Sequence, residues 1–307
     1  MTTLRQLLAP LATGQHGLAE RSQVLDLGAT PEMIEAGLRQ GLIERVHPRV
    51  YLIPGSPRTL KQSLMAACLS ADGVASHRAA AWLWGLNGPF SGHVEGTIPR
   101  RKAPDLRAAT IHCSSDLIPD DVTAIDGIPV TKPARTLVDL GAVSPRWDVD
   151  AAINTALARR LVTIEGLWMM LARVARKGRS GAGVLRECLE WRSAVPDSVL
   201  EALFLQVVRD HDLPKPVLQY PVTVNGRQYR IDAAYPEVML AIELDGADTH
   251  ISPDALQRDL RRQNDLVEAG FSFLRFPWGD LTLRKPHVAR QVRTMHDRLS
   301  FSRQKTA

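Results

Sequence analysis

The stretch that decides the fold reads QYRIDAAYPEVMLAIELDGADTH and runs from residue 228 to residue 250. It contains two segments, 228–235 and 238–245, and we interpret Pro236-Glu237 between them as a turn. Along a strand, successive side chains point to opposite faces, so the apolar residues fall on one face of each segment and the acids on the other. The apolar faces hold Ile231, Ala233 and Tyr235 in the first segment, and Leu240, Ile242 and Leu244 in the second. The sequence therefore predicts two antiparallel strands joined by a short turn.

The alternation places three acidic side chains on one face of this strand pair: Asp232, Glu243 and Asp245. A two-residue turn would put Asp232 opposite Ala241 and diagonal to Glu243, with backbones about 7–8 Å apart. Two carboxylates at this spacing can bind one divalent cation, and Mg²⁺ or Mn²⁺ there can activate water for phosphodiester hydrolysis. In the alternative interpretation the acidic face is exposed to solvent and binds nothing.

Elements on either side extend the strand pair into an α/β domain. The patterns predict a helix over 198–211, a strand over 217–224, a hairpin turn at Asn225-Gly226, a helix over 253–269 and a strand over 271–276. We therefore expect a C-terminal domain at 197–300 with a central mixed sheet, followed by a tail at 301–307.

The polar residues of this domain have the spacing of a known superfamily. They are Asp232, Glu243-Leu244-Asp245-Gly246, His250, Arg258-Asp259, Arg262 and Gly270-Phe271-Ser272-Phe273-Leu274-Arg275-Phe276. Together they resemble the bacterial domain family related to very-short-patch-repair endonucleases, which has the restriction-endonuclease-like PD-(D/E)XK fold. The resemblance implies an endonuclease activity on DNA that depends on Mg²⁺ or Mn²⁺.

The resemblance also implies roles for individual side chains. Asp232 and Glu243 would be catalytic metal ligands, and His250 would lie near the scissile phosphate. Asp245 would occupy the catalytic position that a lysine has in the commonest pattern. The absence of that lysine removes a cation that could orient the attacking water.

Glu201 is the last residue of the expected catalytic set, and its role has two interpretations. By the resemblance it is the acid offered by the leading helix. The spacing of Ser198 and Glu201 is also that of a capping box, in which Glu201 bonds to the start of its own helix. On the helix that follows the acids, Arg258 and Arg262 are expected to contact DNA.

The first 60 residues predict a winged helix-turn-helix domain. Helical patterns cover 4–11, 20–27 and 30–40, and two apolar runs at 42–46 and 50–53 predict a two-stranded wing. The expected DNA contacts come from the third helix and the wing: Arg39, Arg45, His47 and Arg49. A protein–protein module is the alternative, because Glu32 and Glu35 on the third helix would repel phosphates.

Residues 61–150 predict a mixed α/β domain, and residues 151–196 predict a helical, basic linker. His77 and Arg78 suggest a catalytic site, but they have no partner at ligand spacing, so we interpret them as a partly buried helix start. The run 173–192 holds six basic residues against two acidic ones. It either contacts nucleic acid or is a solvated face.

The first 150 residues resemble AbiEi-type antitoxins and transcriptional regulators. The resemblance is carried by Gly14-Gln15-His16-Gly17-Leu18, Arg49-Val50-Tyr51-Leu52, Ser76-His77-Arg78 and the segment GIPVTKPARTLVDL at 127–140. It implies binding to operator DNA, repression of the protein's own operon and a cognate toxin of the nucleotidyltransferase type.

Composition excludes several other classes of protein. A chain of 307 residues with 45 % hydrophobic residues is too apolar for wholesale disorder, and its three cysteines are too far apart for a zinc ribbon. No apolar run approaches the roughly 20 residues of a membrane span, and the N-terminus lacks a secretory signal. Most of the 38 basic residues are arginine, which indicates a GC-rich, bacterial genome. From the lack of a membrane span and a secretory signal, we expect a cytoplasmic protein that has no membrane partner.

Overall fold

The computed structural model describes residues 4–86, 92–99, 102–192, 194–246 and 253–304. Contacts divide the chain into an N-terminal unit (Met1–Thr163 and Ser180–Leu185) and a C-terminal unit (Ile164–Arg179 and Arg186–Ala307). Both units combine helices with strands, which confirms the expected mixture of α and β structure. The finer domain boundaries at 60, 150 and 196 stay a prediction. In the described ranges, no helix has the length and apolar character of a membrane span.

The first part of the N-terminal unit contains three helices and a hairpin. Its elements are α1 (Leu4–Gly14), β1 (Leu18–Glu20), α2 (Arg21–Asp26), α3 (Pro31–Arg39), β2 (Glu44–His47) and β3 (Val50–Leu52). The strands form an antiparallel sheet in the order β1-β3-β2. Thr30 caps α3 by accepting a hydrogen bond from the amide of Met33 at 3.3 Å. The sequence does not predict β1, because its three residues are all buried and show no alternation.

The rest of the N-terminal unit is built on a five-stranded mixed sheet in the order β6-β5-β4-β8-β7. The elements are α4 (Leu60–Ala71), β4 (Val74–Ala75), α5 (His77–Leu83), β5 (Val94–Ile98), β6 (Ala109–Cys113), β7 (Val122–Ile125), β8 (Ile128–Thr131), α6 (Pro133–Leu140) and α7 (Arg146–Ala158). The pairs β5–β6 and β4–β8 are parallel, and the other two pairs are antiparallel.

His77 and Arg78 begin α5, and their contacts are those of a helix start. The carboxylate of Glu95, on β5, accepts the amide N–H of Arg78 at 2.8 Å and its guanidinium at 3.0 Å. The Ser76 hydroxyl is hydrogen-bonded to Nδ1 of His77 at 2.8 Å. These contacts match the structural interpretation of the two residues.

Arg135, on α6, is a fully buried cation in this unit. Its guanidinium lies 3.1 Å from carboxylate oxygens of Asp116, Asp121 and Asp139. It also donates to the hydroxyl of Ser114 at 2.9 Å. Burial of a guanidinium is tolerated because its N–H groups find hydrogen-bond acceptors here.

The C-terminal unit is built on a four-stranded sheet in the order β12-β11-β10-β9. Its elements are α8 (Ile164–Val174), α9 (Ala182–Arg192, which starts among residues of the N-terminal unit), α10 (Asp197–Asp210), β9 (Val217–Val224), β10 (Arg227–Tyr235), β11 (Leu240–Asp245), α11 (Pro253–Glu268), β12 (Ser272–Pro277), α12 (Trp278–Leu283) and α13 (Lys285–Gln304). β11 and β12 are parallel and the other pairs are antiparallel, so the sheet is mixed as predicted.

The hairpin between β9 and β10 follows the predicted turn signal. Asn225 and Gly226 both have positive φ, at 49° and 75°, and the flanking residues Val224 and Arg227 are paired. Two positive φ values are the signature of a type I′ turn, which matches the twist of the adjoining strands.

The pairing of β10 with β11 differs from the predicted register by two residues. Ala234 pairs with Ala241, so the continued register puts Asp232 opposite Glu243. The prediction that Asp232 lies opposite Ala241 is wrong. The connection at 236–239 is a 3₁₀ turn followed by a left-handed residue, so it uses four residues instead of two.

Candidate functional site

Asp232 and Glu243 lie side by side on the two interior strands of the C-terminal sheet. Ile231, Ala233 and Ile242 are fully buried, and because successive side chains alternate, both acids point to the opposite face. The amide N–H of Leu244 donates to Oδ2 of Asp232 at 2.9 Å, while Glu243 is only 7 % exposed. The structure thus brings together the two predicted metal ligands.

The local environment disfavours negative charge on both acids. Burial raises the pKa of Asp232, and the charges of Asp197 and Glu201 on α10 add to that effect. Burial also raises the pKa of Glu243 to about 7, against the opposing effect of Arg262. A cation between the two carboxylates would offset this cost.

Arg262, on α11, contacts the acid pair directly. Its Nη2 donates to Oε1 of Glu243 at 2.9 Å and also to the carbonyl oxygen of Arg230. Arg262 was predicted to contact DNA, and in this structure its guanidinium compensates Glu243. Arg258, the other arginine predicted on this helix, is exposed to solvent.

The third predicted acid, Asp245, is bound by Arg275. Nε and Nη2 of Arg275 donate to Asp245 at 3.1 and 2.7 Å, and its Nη1 donates to Asp259 at 2.7 Å. Arg275 lies on β12 beside Glu243, its partner in the parallel register. No role was predicted for Arg275, although a charged residue inside an apolar strand is a signal that the sequence contains.

Glu201 lies on α10 and does not cap its helix. Pro196 precedes the first residue of α10, and the hydroxyl of Ser198 donates to Glu165, so the capping box is absent. The carboxylate of Glu201 instead accepts a hydrogen bond from the side-chain amide of Gln219. The capping interpretation is therefore wrong, and the charge of Glu201 acts on Asp232.

The ladder between β9 and β10 is interrupted beside Asp232. Tyr220 pairs with Ile231 and Leu218 pairs with Ala233, but the residues between them, Gln219 and Asp232, are not paired. Gln219 has a positive φ of 48°, which is uncommon for a residue other than glycine. The register is the same on both sides of this position, so the interruption is a local distortion of β9 without an inserted residue.

The oxygen donors of the acid pair fit Mg²⁺. This ion usually takes one or two carboxylates from the protein and completes its octahedron with waters and substrate phosphate oxygens. Asp232 and Glu243 supply two such carboxylates. Over the described ranges, no group of three or more His, Cys, Asp or Glu side chains could hold a metal ion. His250, the remaining predicted residue, lies outside the described residues.

The basic residues predicted to contact DNA in the N-terminal unit have different surroundings. Arg39 ends α3 and is exposed. Arg45, on β2, lies 3.5 Å from the Glu35 carboxylate, and both side chains are about half exposed. His47 is partly buried, and this burial lowers the pKa of its imidazole.

Arg49 takes the left-handed conformation in the hairpin turn, with φ of 62°. Its guanidinium donates to the carbonyl oxygen of Ser70 at 3.1 Å and lies 3.9 Å from a Glu20 oxygen. The predicted wing residue thus points toward α4 and β1 of its own unit.

The chain is similar to two proteins over most of its length. No protein-family model matches the sequence. Two relatives from Mycobacterium tuberculosis, "Uncharacterized protein MT2308" and "Uncharacterized protein Rv2248", are each 23 % identical over 270 residues. Each match covers 88 % of this chain and 98 % of the relative, so it includes parts of both units.

Proposed function

We propose that this chain is a DNA-binding protein whose C-terminal unit is a restriction-endonuclease-like domain that hydrolyses phosphodiester bonds in DNA. One observation carries the proposal: the partly buried Asp232 and the buried Glu243 lie side by side on interior strands, where loss of solvent disfavours their charges. Two acids kept together at this cost are expected where a cation compensates them.

Asp232 and Glu243 would hold Mg²⁺ or Mn²⁺, which supplies an activated water and stabilises the leaving oxygen. The amide of Leu244 orients Asp232, and the Glu201 carboxylate adds negative charge from α10. Arg262 and Arg275 lie beside these acids and are partly exposed, so their guanidinium groups can bind DNA phosphates. From the resemblance to very-short-patch-repair endonucleases, we assign Asp245 to the catalytic position that a lysine usually has. The same resemblance places His250 near the scissile phosphate.

Incubation of the purified full chain with supercoiled, linear and single-stranded DNA tests the activity. We expect cleavage with Mg²⁺ or Mn²⁺, loss of cleavage with Glu243→Gln, and retention with Asp210→Asn, an exposed acid of the same unit. Cleavage that survives Glu243→Gln would place the activity elsewhere. Failure to cut any of the DNAs would exclude the hydrolase.

DNA binding by the N-terminal unit is supported by its three helices and hairpin, the layout of a winged helix-turn-helix. Two of its exposed arginines lie on these elements, Arg39 at the end of α3 and Arg45 on β2 of the hairpin. In a mobility-shift experiment with the protein's own promoter, Arg39→Ala and Arg45→Ala should each weaken binding several-fold, and more salt should weaken it further. The exposed Arg107→Ala is the matched control.

A second candidate is an AbiEi-type antitoxin and transcriptional repressor whose nuclease-like domain is inactive. The ion pairs Arg262–Glu243 and Arg275–Asp245 favour it, because they compensate two of the acids without a metal ion. This protein would act in the cytoplasm together with a toxin of the nucleotidyltransferase type. Repression of a reporter under the native promoter, unchanged by Glu243→Gln and without any DNA cleavage, would establish it.

A further inference from the structure

The last helix of the C-terminal unit, α13, concentrates positive charge next to a region that is acidic. Residues 197–284 contain nine basic and fourteen acidic residues, a net charge of −5. The 20 residues of α13 contain five basic residues against one acidic residue, Asp297, a net charge of +4. The basic residues are Lys285, Arg290, Arg293, Arg298 and Arg303. Positive charge in this part of the chain is therefore segregated onto one helix.

One side of α13 packs inside its unit, and the other side faces solvent. Val288 and Val292 are buried, and the ring of His296 lies edge-on to the ring of Tyr235, with centroids 5.3 Å apart. Because side chains alternate along β10, Tyr235 lies on the sheet face opposite to Asp232. The helix therefore packs on the face away from the acid pair, and its solvent side is separate from the proposed catalytic site.

Polar and basic side chains form a row on the solvent side of α13. Arg290, Thr294 and Arg298 follow one another at intervals of four residues, and all three are exposed. Arg290 and Arg298 are about 12 Å apart along the helix axis. Among the large apolar residues of α13, Phe301 is exposed, whereas the valines are buried. The solvent side is therefore mainly a hydrogen-bonding and cationic surface.

The two arginines of the row have partners within α13 that carry no negative charge. Nη2 of Arg290 is hydrogen-bonded to Nδ1 of His287 at 3.1 Å, and Nη2 of Arg298 donates to Sδ of Met295 at 2.9 Å. In the part of the chain that the structure describes, neither guanidinium forms an ion pair with a carboxylate. These contacts connect α13 to no other element and leave both positive charges uncompensated.

We propose that the solvent side of α13 binds the phosphate backbone of double-stranded DNA without reading its sequence. A guanidinium can donate two parallel hydrogen bonds to one phosphate, and duplex DNA carries one negative charge per about 1.7 Å of its axis. Single strands are usually bound by several stacking aromatic residues, and the centre of a protein interface is usually apolar. The row of Arg290, Thr294 and Arg298 supplies neither, so duplex DNA fits it best.

Fluorescence anisotropy of a labelled duplex with the full chain tests the proposal. The duplex has about 30 base pairs unrelated to the promoter, and EDTA is present so that no cleavage occurs. We expect Arg290→Gln/Arg298→Gln to bind about tenfold more weakly at about 50 mM salt. The slope of log affinity against log salt should become less steep by about 2, one for each lost phosphate contact. Unchanged affinity and slope would overturn the proposal.

A matched control separates a local contact from an effect of net charge. Arg107→Gln/Arg227→Gln removes two charges from exposed positions outside α13 and should leave binding nearly unchanged. Equal weakening by this control would overturn the assignment to α13. Both double variants should keep the circular dichroism spectrum of the wild type, because the substituted side chains are exposed.

Competition with poly-L-glutamate tests the choice of partner. At equal concentration of negative charge, it should displace the labelled duplex at least about tenfold less well than unlabelled duplex does, because it lacks phosphates. Equal displacement would overturn duplex DNA as the partner and would favour an acidic protein.

The α13 surface does not rest on the DNA contacts proposed for the N-terminal unit, and the two can fail separately. Promoter binding that is unchanged in Arg39→Ala/Arg45→Ala but weaker in Arg290→Gln/Arg298→Gln would refute the N-terminal contacts and support α13. The opposite result, with the unrelated duplex also unaffected by the α13 variant, would refute the α13 surface alone. We expect each double variant to weaken promoter binding and the α13 variant to weaken binding of the unrelated duplex.

Discussion

Each unit contains a cluster of acids and arginines, but the two clusters are organised in opposite ways. In the N-terminal unit the cation is at the centre, because Arg135 is fully buried and surrounded by carboxylates. In the C-terminal unit the acids are at the centre. Arg262 and Arg275 contact them from the outside of the cluster, with side chains 28 % and 39 % exposed; we call these two arginines the rim cations. The first cation is permanent, whereas the second pair of cations can exchange with solvent or a ligand.

The largest effect should come from removing the permanent cation. Arg135→Met leaves buried carboxylates without their guanidinium and should lower the free energy of unfolding by about 3–5 kcal/mol. Urea denaturation followed by circular dichroism measures this loss. The exposed Arg107→Met should change it by less than about 0.5 kcal/mol. A loss below about 1 kcal/mol for Arg135→Met would contradict a permanent role.

The acid-centred cluster should make the C-terminal unit sensitive to pH. Because burial raises the pKa of Glu243 from 4.5 to about 7, the folded state binds this proton more tightly than the unfolded state does. The stabilisation is present below the unfolded pKa and is lost as the pH rises through 7. We expect stability to fall by up to about 3 kcal/mol between pH 5 and pH 8.

Hydrogen exchange of the β11 amides at several pH values measures this dependence. Glu243→Gln should flatten it, because the variant has no proton to lose at that position. A dependence that persists in Glu243→Gln would assign the effect to other groups, of which Asp232 has the same direction of shift.

If Arg262 competes with a metal ion for Glu243, removing Arg262 should have a smaller effect, on metal affinity. Arg262→Gln removes the guanidinium that occupies Glu243, so Mn²⁺ should bind about tenfold more tightly, equivalent to about 1.4 kcal/mol. Electron paramagnetic resonance of free Mn²⁺ measures the affinity in the absence of DNA. Equal affinity in the wild type and the variant would show that Arg262 does not compete with the ion.

The smallest effect should come from the ion pair between Arg275 and Asp259. Asp259 and Arg275 have side chains 37 % and 39 % exposed, so their ion pair is screened by water. Asp259→Asn should cost less than about 1 kcal/mol of unfolding free energy in urea. A larger loss would place Arg275 with the permanent cations and remove the contrast between the two clusters.

Several features of the fold could be predicted from local patterns in the sequence. Alternation assigned Asp232 and Glu243 to one face, and Asn225-Gly226 predicted the hairpin, because both signals lie within a few residues. The predicted register between β10 and β11 was wrong, because composition cannot distinguish the 3₁₀ turn at 236–238 from a two-residue turn. Helical periodicity likewise gave α3 but could not reveal β1, which is too short to alternate.

The contacts of the sites depend on residues far apart in the chain, so the sequence alone could not give them. Arg275 reaches Asp245 only because β12 runs parallel to β11, and nothing near Arg275 shows that neighbour. Spacing suggested a capping role for Glu201, but its actual partner is Gln219 on another element.

The unpaired position at Gln219 divides strand β9 into two short stretches of hydrogen bonding. An edge strand divided in this way frays in parts, and each part opens at a lower free energy than the whole strand would need. Asp232 lies beside this position and is itself partly exposed. We therefore expect the amides of β9 to exchange with solvent faster than those of the interior strands that carry the two acids.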